Sequence, residues 1–138
     1  MERFTRTFLM LPFLLFLSAC VTTLLSIPED LSPAELIQRA QEASDRNRYN
    51  TALQYYNALQ TRNPSNIDLI CTAEYETAFI HYKQKKYNLA KEEFGALLDR
   101  YDAPDGGYLP QQFKLLSKKV LERIEEKEKP LKVKKNRE

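Results

Sequence analysis

Beyond residue 32 the apolar positions return at intervals of three and four rather than two, the period of amphipathic helices and not of strands. That spacing predicts helices over 33–46, 49–61, 66–84, 87–101 and 110–128, an all-α fold. Breaks fall at Asn47-Arg48, Asn63-Pro64-Ser65, Lys85-Lys86 and Ala103-Pro104-Asp105-Gly106-Gly107. The first start is explicit: Ser32 can cap, Pro33 suits the first turn, and Glu35 completes a capping box. On the fifth helix Phe113, Leu116, Val120 and Ile124 share one face, while Lys114, Lys118, Glu122 and Glu125 lie elsewhere. That is the make-up of a capping helix, which buries the end of an array on one side and stays wet on the other. Residues 20–31 show no helical period and read as a tether, and the basic, proline-containing stretch 129–138 is expected to be disordered.

The front of the chain has a different character. Arg3 and Arg6 precede ten mostly apolar residues, 8–17, well short of the roughly twenty needed to cross a bilayer. The run ends in Leu17-Ser18-Ala19-Cys20, which resembles the bacterial lipobox, where cleavage precedes a lipid-modified cysteine. The expectation is a signal peptide over 1–19 and a covalent lipid on Cys20, with the uncharged run 21–27 leaving a marginal signal anchor as the other reading. Three acyl chains exceed the two signals that stable membrane attachment requires. Val21 after the cysteine, by analogy with enterobacterial lipoproteins, implies the outer membrane and its periplasmic face. Removing Glu2, Arg3 and Arg6 with the leader leaves 119 residues of net charge +1, and Cys71 as a lone thiol beside Ile70 and Ala73, expected to be buried.

Two stretches repeat at an offset of 38 residues: Ala40, Tyr49, Ala52, Tyr56 and Leu59 return as Ala78, Tyr87, Ala90, Phe94 and Leu97. The pattern Ala-x8-Tyr-x2-Ala-x3-aromatic-x2-Leu resembles the tetratricopeptide repeat, in which small residues sit where paired helices cross and large ones fill the groove between pairs. A generic array of helical hairpins is the plainer alternative. The resemblance implies a short solenoid of two repeats and a cap over 32–128.

Composition then limits the chemistry. With 29% charged residues and a mean hydropathy of −0.55, the chain is neither a polytopic membrane protein nor, at 43% hydrophobic, a wholly unfolded one. The formal charge of +2 supplies no strong field for nucleic acid. His81 and Cys71 are ten residues apart on one predicted helix, roughly 15 Å and too far to share a metal or form a thiolate–imidazole pair. Three glycines, two adjacent in a turn, make no phosphate-binding loop. No catalytic residue, metal site, cofactor or small-molecule substrate is expected, and the chain reads as a non-enzyme.

The residues that invite a partner are Tyr75, Phe79 and Tyr82, at i, i+4 and i+7 on the third helix, with Lys83 beside them. The repeat places Ile37, Gln41, Ser44 and Asp45 at matching positions on the first helix, and in tetratricopeptide arrays these first helices line the concave face. Together Ile37, Gln41, Asp45, Tyr75, Phe79, Tyr82 and Lys83 form a candidate groove for an extended or helical peptide. The competing reading is that the rings are core, packed against the first and fifth helices. The basic tail (Lys129, Lys132, Lys134, Lys135, Arg137) reads either as a solubilising end or as attraction to an anionic surface.

The lipobox, tether and long-period repeat together resemble the BamD (YfiO) family of outer-membrane lipoproteins, most closely in the segments 78–90 and 56–64. The resemblance implies a part in assembling β-barrels into the outer membrane, binding POTRA domains of the central barrel protein and unfolded barrel substrate, with no cofactor. Family members carry about five repeats, whereas this chain has two and a cap. A lipid-anchored adaptor for another envelope system, such as a transporter's solute-binding protein or a cell-envelope coordination complex, is the second expectation. A ligand-binding or enzymatic lipoprotein is a third, for which no polar pocket signature is present.

Overall fold

The computed structural model describes residues 26–135, with side chains placed through Lys129; the leader, Cys20 and residues 136–138 lie outside them. Five α-helices follow in order: α1 Pro33–Asp45, α2 Tyr49–Arg62, α3 Ile67–Lys83, α4 Tyr87–Asp102 and α5 Gln111–Lys135, with one 3-10 turn at Gly106–Tyr108. Ser32 starts α1 as expected: its hydroxyl accepts from the Glu35 amide while the Glu35 carboxylate accepts from the Ser32 amide. Asn66 caps α3 by accepting from the Leu69 amide.

Each helix packs on the next, and α3 also packs on α5. Phe113 meets Tyr75 near the middle of α3 and Lys127 meets Tyr82 near its end, so α5 runs parallel to α3. The Lys91–Glu128 pair (3.0 Å) and the Lys114–Asp102 pair (3.4 Å) set α5 antiparallel to α4. Helices α1, α3 and α5 therefore form one layer and α2 and α4 the other, as in a short tetratricopeptide-like solenoid of helical hairpins.

The 38-residue repeat extends to individual backbone hydrogen bonds. At the first turn Arg48 N donates to Ala43 O (2.8 Å) and Asn47 N to Ser44 O (3.0 Å); at the second Lys86 N donates to His81 O (3.0 Å) and Lys85 N to Tyr82 O (2.9 Å). Asn47 (φ 57°) and Lys85 (φ 61°) both adopt the left-handed conformation that this helix ending needs. Ala40, Ala52, Ala78 and Ala90 are all at 0% exposure, which lets the paired backbones approach closely. Tyr56, Leu59, Phe94 and Leu97 are equally buried and fill the space beside them. Tyr49 and Tyr87 are half-buried at the turns, where the Tyr49 hydroxyl donates to Asn47 Oδ1 at 2.6 Å.

Burial divides into two clusters. One joins α1 and α2 with Ala73 and Ile80 of α3; the other joins Cys71, Tyr75 and Ala78 of α3 to α4 and α5. Cys71 is buried, and burial pushes its thiol above the usual range. Gly106 is fixed by close approach: a Cβ there would overlap the Tyr101 carbonyl. The Tyr101 hydroxyl donates to Pro110 O (2.8 Å) and so ties the α4–α5 connection to the end of α4.

Three expectations need correction. Leu116 is 38% exposed and does not belong to the buried face of α5, which is instead Phe113, Ser117, Val120, Leu121 and Ile124. A helix offers two neighbouring stripes at spacings of three and four, and the polar Ser117 concealed which of them turns inward. Next, α5 continues through Pro130 to Lys135 rather than ending at 128. A proline within a helix removes one hydrogen bond, but the flanking lysine, glutamate and leucine residues are strong helix formers. Finally, the end of the expected tether is docked: Ile27 and Leu31 pack on the first cluster, and Arg62 donates to Pro28 O (2.8 Å) and Ile27 O (3.0 Å). No helical period marks this strap, because it is held by two carbonyls and two apolar side chains rather than by its own hydrogen bonds.

Candidate functional site

Spacings of four and three turn Tyr75, Phe79 and Tyr82 toward one side of α3, and the rings meet in sequence. Tyr75 and Phe79 stack at 5.9 Å and 11°, and Phe79 and Tyr82 at 5.7 Å and 24°. Their environments then diverge. Tyr75 is 7% exposed, wedged between Phe94 (5.7 Å) and Phe113 (5.2 Å), and belongs to the core. Phe79 and Tyr82 are half-buried and pack against the second cluster, with the Tyr82 ring 6.0 Å from that of Tyr87 on α4. The core reading thus holds for Tyr75, while the other two rings are half-buried against the same cluster.

Two lysines frame these rings. Lys83 places its ammonium 5.4 Å from the Phe79 ring and 5.7 Å from that of Tyr49, and donates to Ser44 Oγ on α1. Lys127 of α5 stands 4.8 Å from the Tyr82 ring and 5.8 Å from that of Tyr87, and donates to the Tyr82 hydroxyl at 3.0 Å. That hydrogen bond holds the Lys127 ammonium above its ordinary pKa. On the α1 wall Gln41 and Asp45 are exposed, and Ile37 is half-buried against the first cluster. The predicted groove residues therefore share one face, except that Tyr75 forms its buried foundation.

Sequence reasoning missed Glu76 and Lys127. Burial pushes the Glu76 carboxyl up, Lys83 pulls it down, and Asp45 adds to the rise. Glu76 lies one residue from Tyr75 and three from Phe79, so helical spacing alone would have placed it beside the stripe. Lys127 comes from the far end of α5, a tertiary contact that no local pattern reveals. Beneath this wall the Tyr56 hydroxyl is buried without a hydrogen-bond partner among the described residues, and burial with the nearby Glu76 and Asp45 charges strongly disfavours its ionisation.

His81 and Cys71, separated along α3, turn to different partners. His81 Nδ1 lies 2.7 Å from Glu93 Oε2 on α4, a tie between the two helices. Among the described residues no group of three or more His, Cys, Asp or Glu could hold a metal ion, and no helix is long and apolar enough to cross a membrane.

In comparisons with known proteins, no family model and no solved structure matches the chain. It is similar to an uncharacterized protein of Treponema pallidum (strain Nichols), at 34% identity over 111 residues. The match covers 79% of this chain and 44% of that relative, so the chain spans less than half the length of the protein it resembles. What the fold defines is a class: a short tetratricopeptide-like solenoid of helical hairpins, with the candidate groove residues carried on α1 and α3.

Proposed function

We propose that the protein is a lipid-anchored scaffold of the cell envelope that binds a peptide segment of a protein partner in this groove and catalyses no reaction. The observation that carries the reading is the half-buried pair Phe79 and Tyr82, with the Lys83 and Lys127 ammonium groups beside their rings. Aromatic rings with a polar edge contribute contact area at low entropic cost, and the lysines add directional donors. Glu76 has Lys83 beside it, and with Asp45 and Lys127 this surface offers both signs of charge to a bound segment.

The partner proposed is the outer-membrane β-barrel assembly machinery, through a POTRA-type domain or an unfolded barrel substrate, with Cys20 as the lipid-bearing residue. In-cell crosslinking and mild-detergent purification of the tagged chain, with mass spectrometry of what accompanies it, tests this. Enrichment of a POTRA-containing barrel protein, lost in Phe79→Ala, supports the assembly role. Enrichment of a solute-binding protein or a peptidoglycan-associated factor, with the barrel protein absent, moves the scaffold to another envelope system. Unchanged partitioning and mass of Cys20→Ser would refute the lipid anchor.

A further inference from the structure

The two tight turns that recur at an offset of 38 residues stand side by side at one end of the molecule. Gln84 of the second shares a shallow depression with Asn47, Arg48, Tyr49, Asn50 and Thr51 of the first, and Lys83 reaches across to the Tyr49 ring. Lys127 lies over the Tyr82 and Tyr87 rings, which brings the last third of α5 to the same end. The strap, the α2–α3 turn and the α4–α5 connection occupy the opposite end, where α2 finishes at Arg62.

Charge is divided between these ends. The turns at 46–48 and 84–86 carry Arg46, Arg48, Lys85 and Lys86 and no carboxylate, and all four cations are exposed. Lys127 and Lys129 are exposed beside them, and the sequence of α5 continues with Lys132, Lys134 and Lys135. The strap, the 63–66 turn and the 103–110 connection carry Glu29, Asp30 and Asp105 and no cation. Against the basic end stand Asp45, Glu125, Glu126 and Glu128, of which Glu128 is held by Lys91 at 3.0 Å. Arg46 pairs with Glu42 at 3.5 Å, but among the described residues Arg48, Lys85 and Lys86 have no ion-pair partner.

The fold gives no reason for cations at these positions. Arg48 and Lys86 are the N-caps of α2 and α4; neither makes a side-chain capping hydrogen bond, and neither first turn contains an acid. Ser, Thr, Asp or Asn would cap there, whereas a cation faces the positive end of the helix dipole. Lys85 in addition takes a left-handed φ of 61°, which suits glycine or asparagine better. Both copies of the repeat thus place cations where local physics disfavours them. A local rule broken twice with no compensating contact marks a functional surface.

We propose that this end of the molecule binds an acidic segment of a partner polypeptide, with Arg48, Lys85 and Lys86 as the principal contacts. Clustered unpaired cations raise the local concentration of carboxylates, and Arg48 offers a planar fork that a carboxylate can meet with both oxygens. A formal charge of +2 over the whole chain is a weak field for nucleic acid. Among the described residues, Leu89 is the only exposed large apolar side chain at this end, too little to enter a bilayer interface. None of the three principal contacts belongs to the groove, so the two readings stand or fall separately.

The test is a fluorescence-anisotropy titration of the full chain with a labelled dodecapeptide of alternating glutamate and serine, beside its glutamine-for-glutamate counterpart. The glutamate peptide should bind saturably and the glutamine peptide about tenfold more weakly or worse. Arg48→Gln, Lys85→Gln and Lys86→Gln combined should weaken the glutamate peptide about tenfold. Arg39→Gln, Lys118→Gln and Lys119→Gln remove the same charge elsewhere and should change binding less than about twofold. The first triple variant should melt no lower than the parent, because its cations oppose the helix dipoles. Equal losses in the two triple variants, a lower midpoint temperature for the first, or an equal loss in Phe79→Ala overturns the proposal. Binding of phosphatidylglycerol vesicles or of an oligothymidylate as tightly as the peptide assigns this end to polyanions in general and overturns the polypeptide partner.

Discussion

The two repeats share a skeleton and differ in nearly everything that touches solvent or a neighbour. The same turn hydrogen bonds recur 38 residues apart, and the four crossing alanines are equally buried. Yet Gln41 and Asp45 on α1 become Phe79 and Lys83 on α3, and Leu36 and Tyr55 become Glu74 and Glu93. The small residues are held by geometry, because a close helix crossing has no room for anything larger. Positions outside the close crossings are free of that constraint, and there the two copies diverge. Arg62 and Arg100 show the division well. They occupy equivalent positions, but Arg100 pairs with Glu74 of its own hairpin, whereas the first hairpin has Leu36 at that place and Arg62 grips the strap carbonyls instead.

The comparison can be broken most forcefully at the core. Tyr56→Ala and Phe94→Ala should each cost about 3–5 kcal/mol, read by urea denaturation. A loss below about 1 kcal/mol in either would show that the two positions are not structural equivalents. Arg62→Ala should cost about 1 kcal/mol, because its contacts are partly exposed, and should raise amide exchange between Leu31 and Leu36 before the rest of α1 responds. Unaltered exchange there would mean that the strap is held by Ile27 and Leu31 alone.

Smaller effects sharpen the contrast. Tyr56→Phe makes the first repeat resemble the second and removes a buried hydroxyl with no partner among the described residues. It should leave stability unchanged or raise it by about 1 kcal/mol, and a clear loss would reveal a hydrogen bond to the hydroxyl. Lys85→Gly should stabilise by about 0.5–1 kcal/mol by relieving a left-handed lysine, as a rise in midpoint temperature. Asn47→Gly should change little, since asparagine tolerates that conformation and its Oδ1 accepts from Tyr49.

Much of this architecture was legible because a repeat is redundant: each alanine, aromatic and turn announces itself twice. What was not legible occurs once. The strap has no second copy and no period of its own. Leu116 and Ser117 are neighbours that a helix can bury interchangeably, and only packing against α3 and α4 decides between them. At the groove, spacing put Tyr75, Phe79 and Tyr82 on one stripe, but the division between core and edge depends on Phe94 and Phe113, which approach from other helices.

The Arg62 fork also governs how the molecule bears a load. Tension on the segment preceding the domain reaches the fold at Ile27 and Pro28, where two guanidinium hydrogen bonds meet it before any helix does. If the pull peels the strap off, the contacts yield singly and at low force; if it runs along the strap, Ile27, Leu31 and both hydrogen bonds resist together. Either way, a force transmitted through the chain meets the strap before it meets α1.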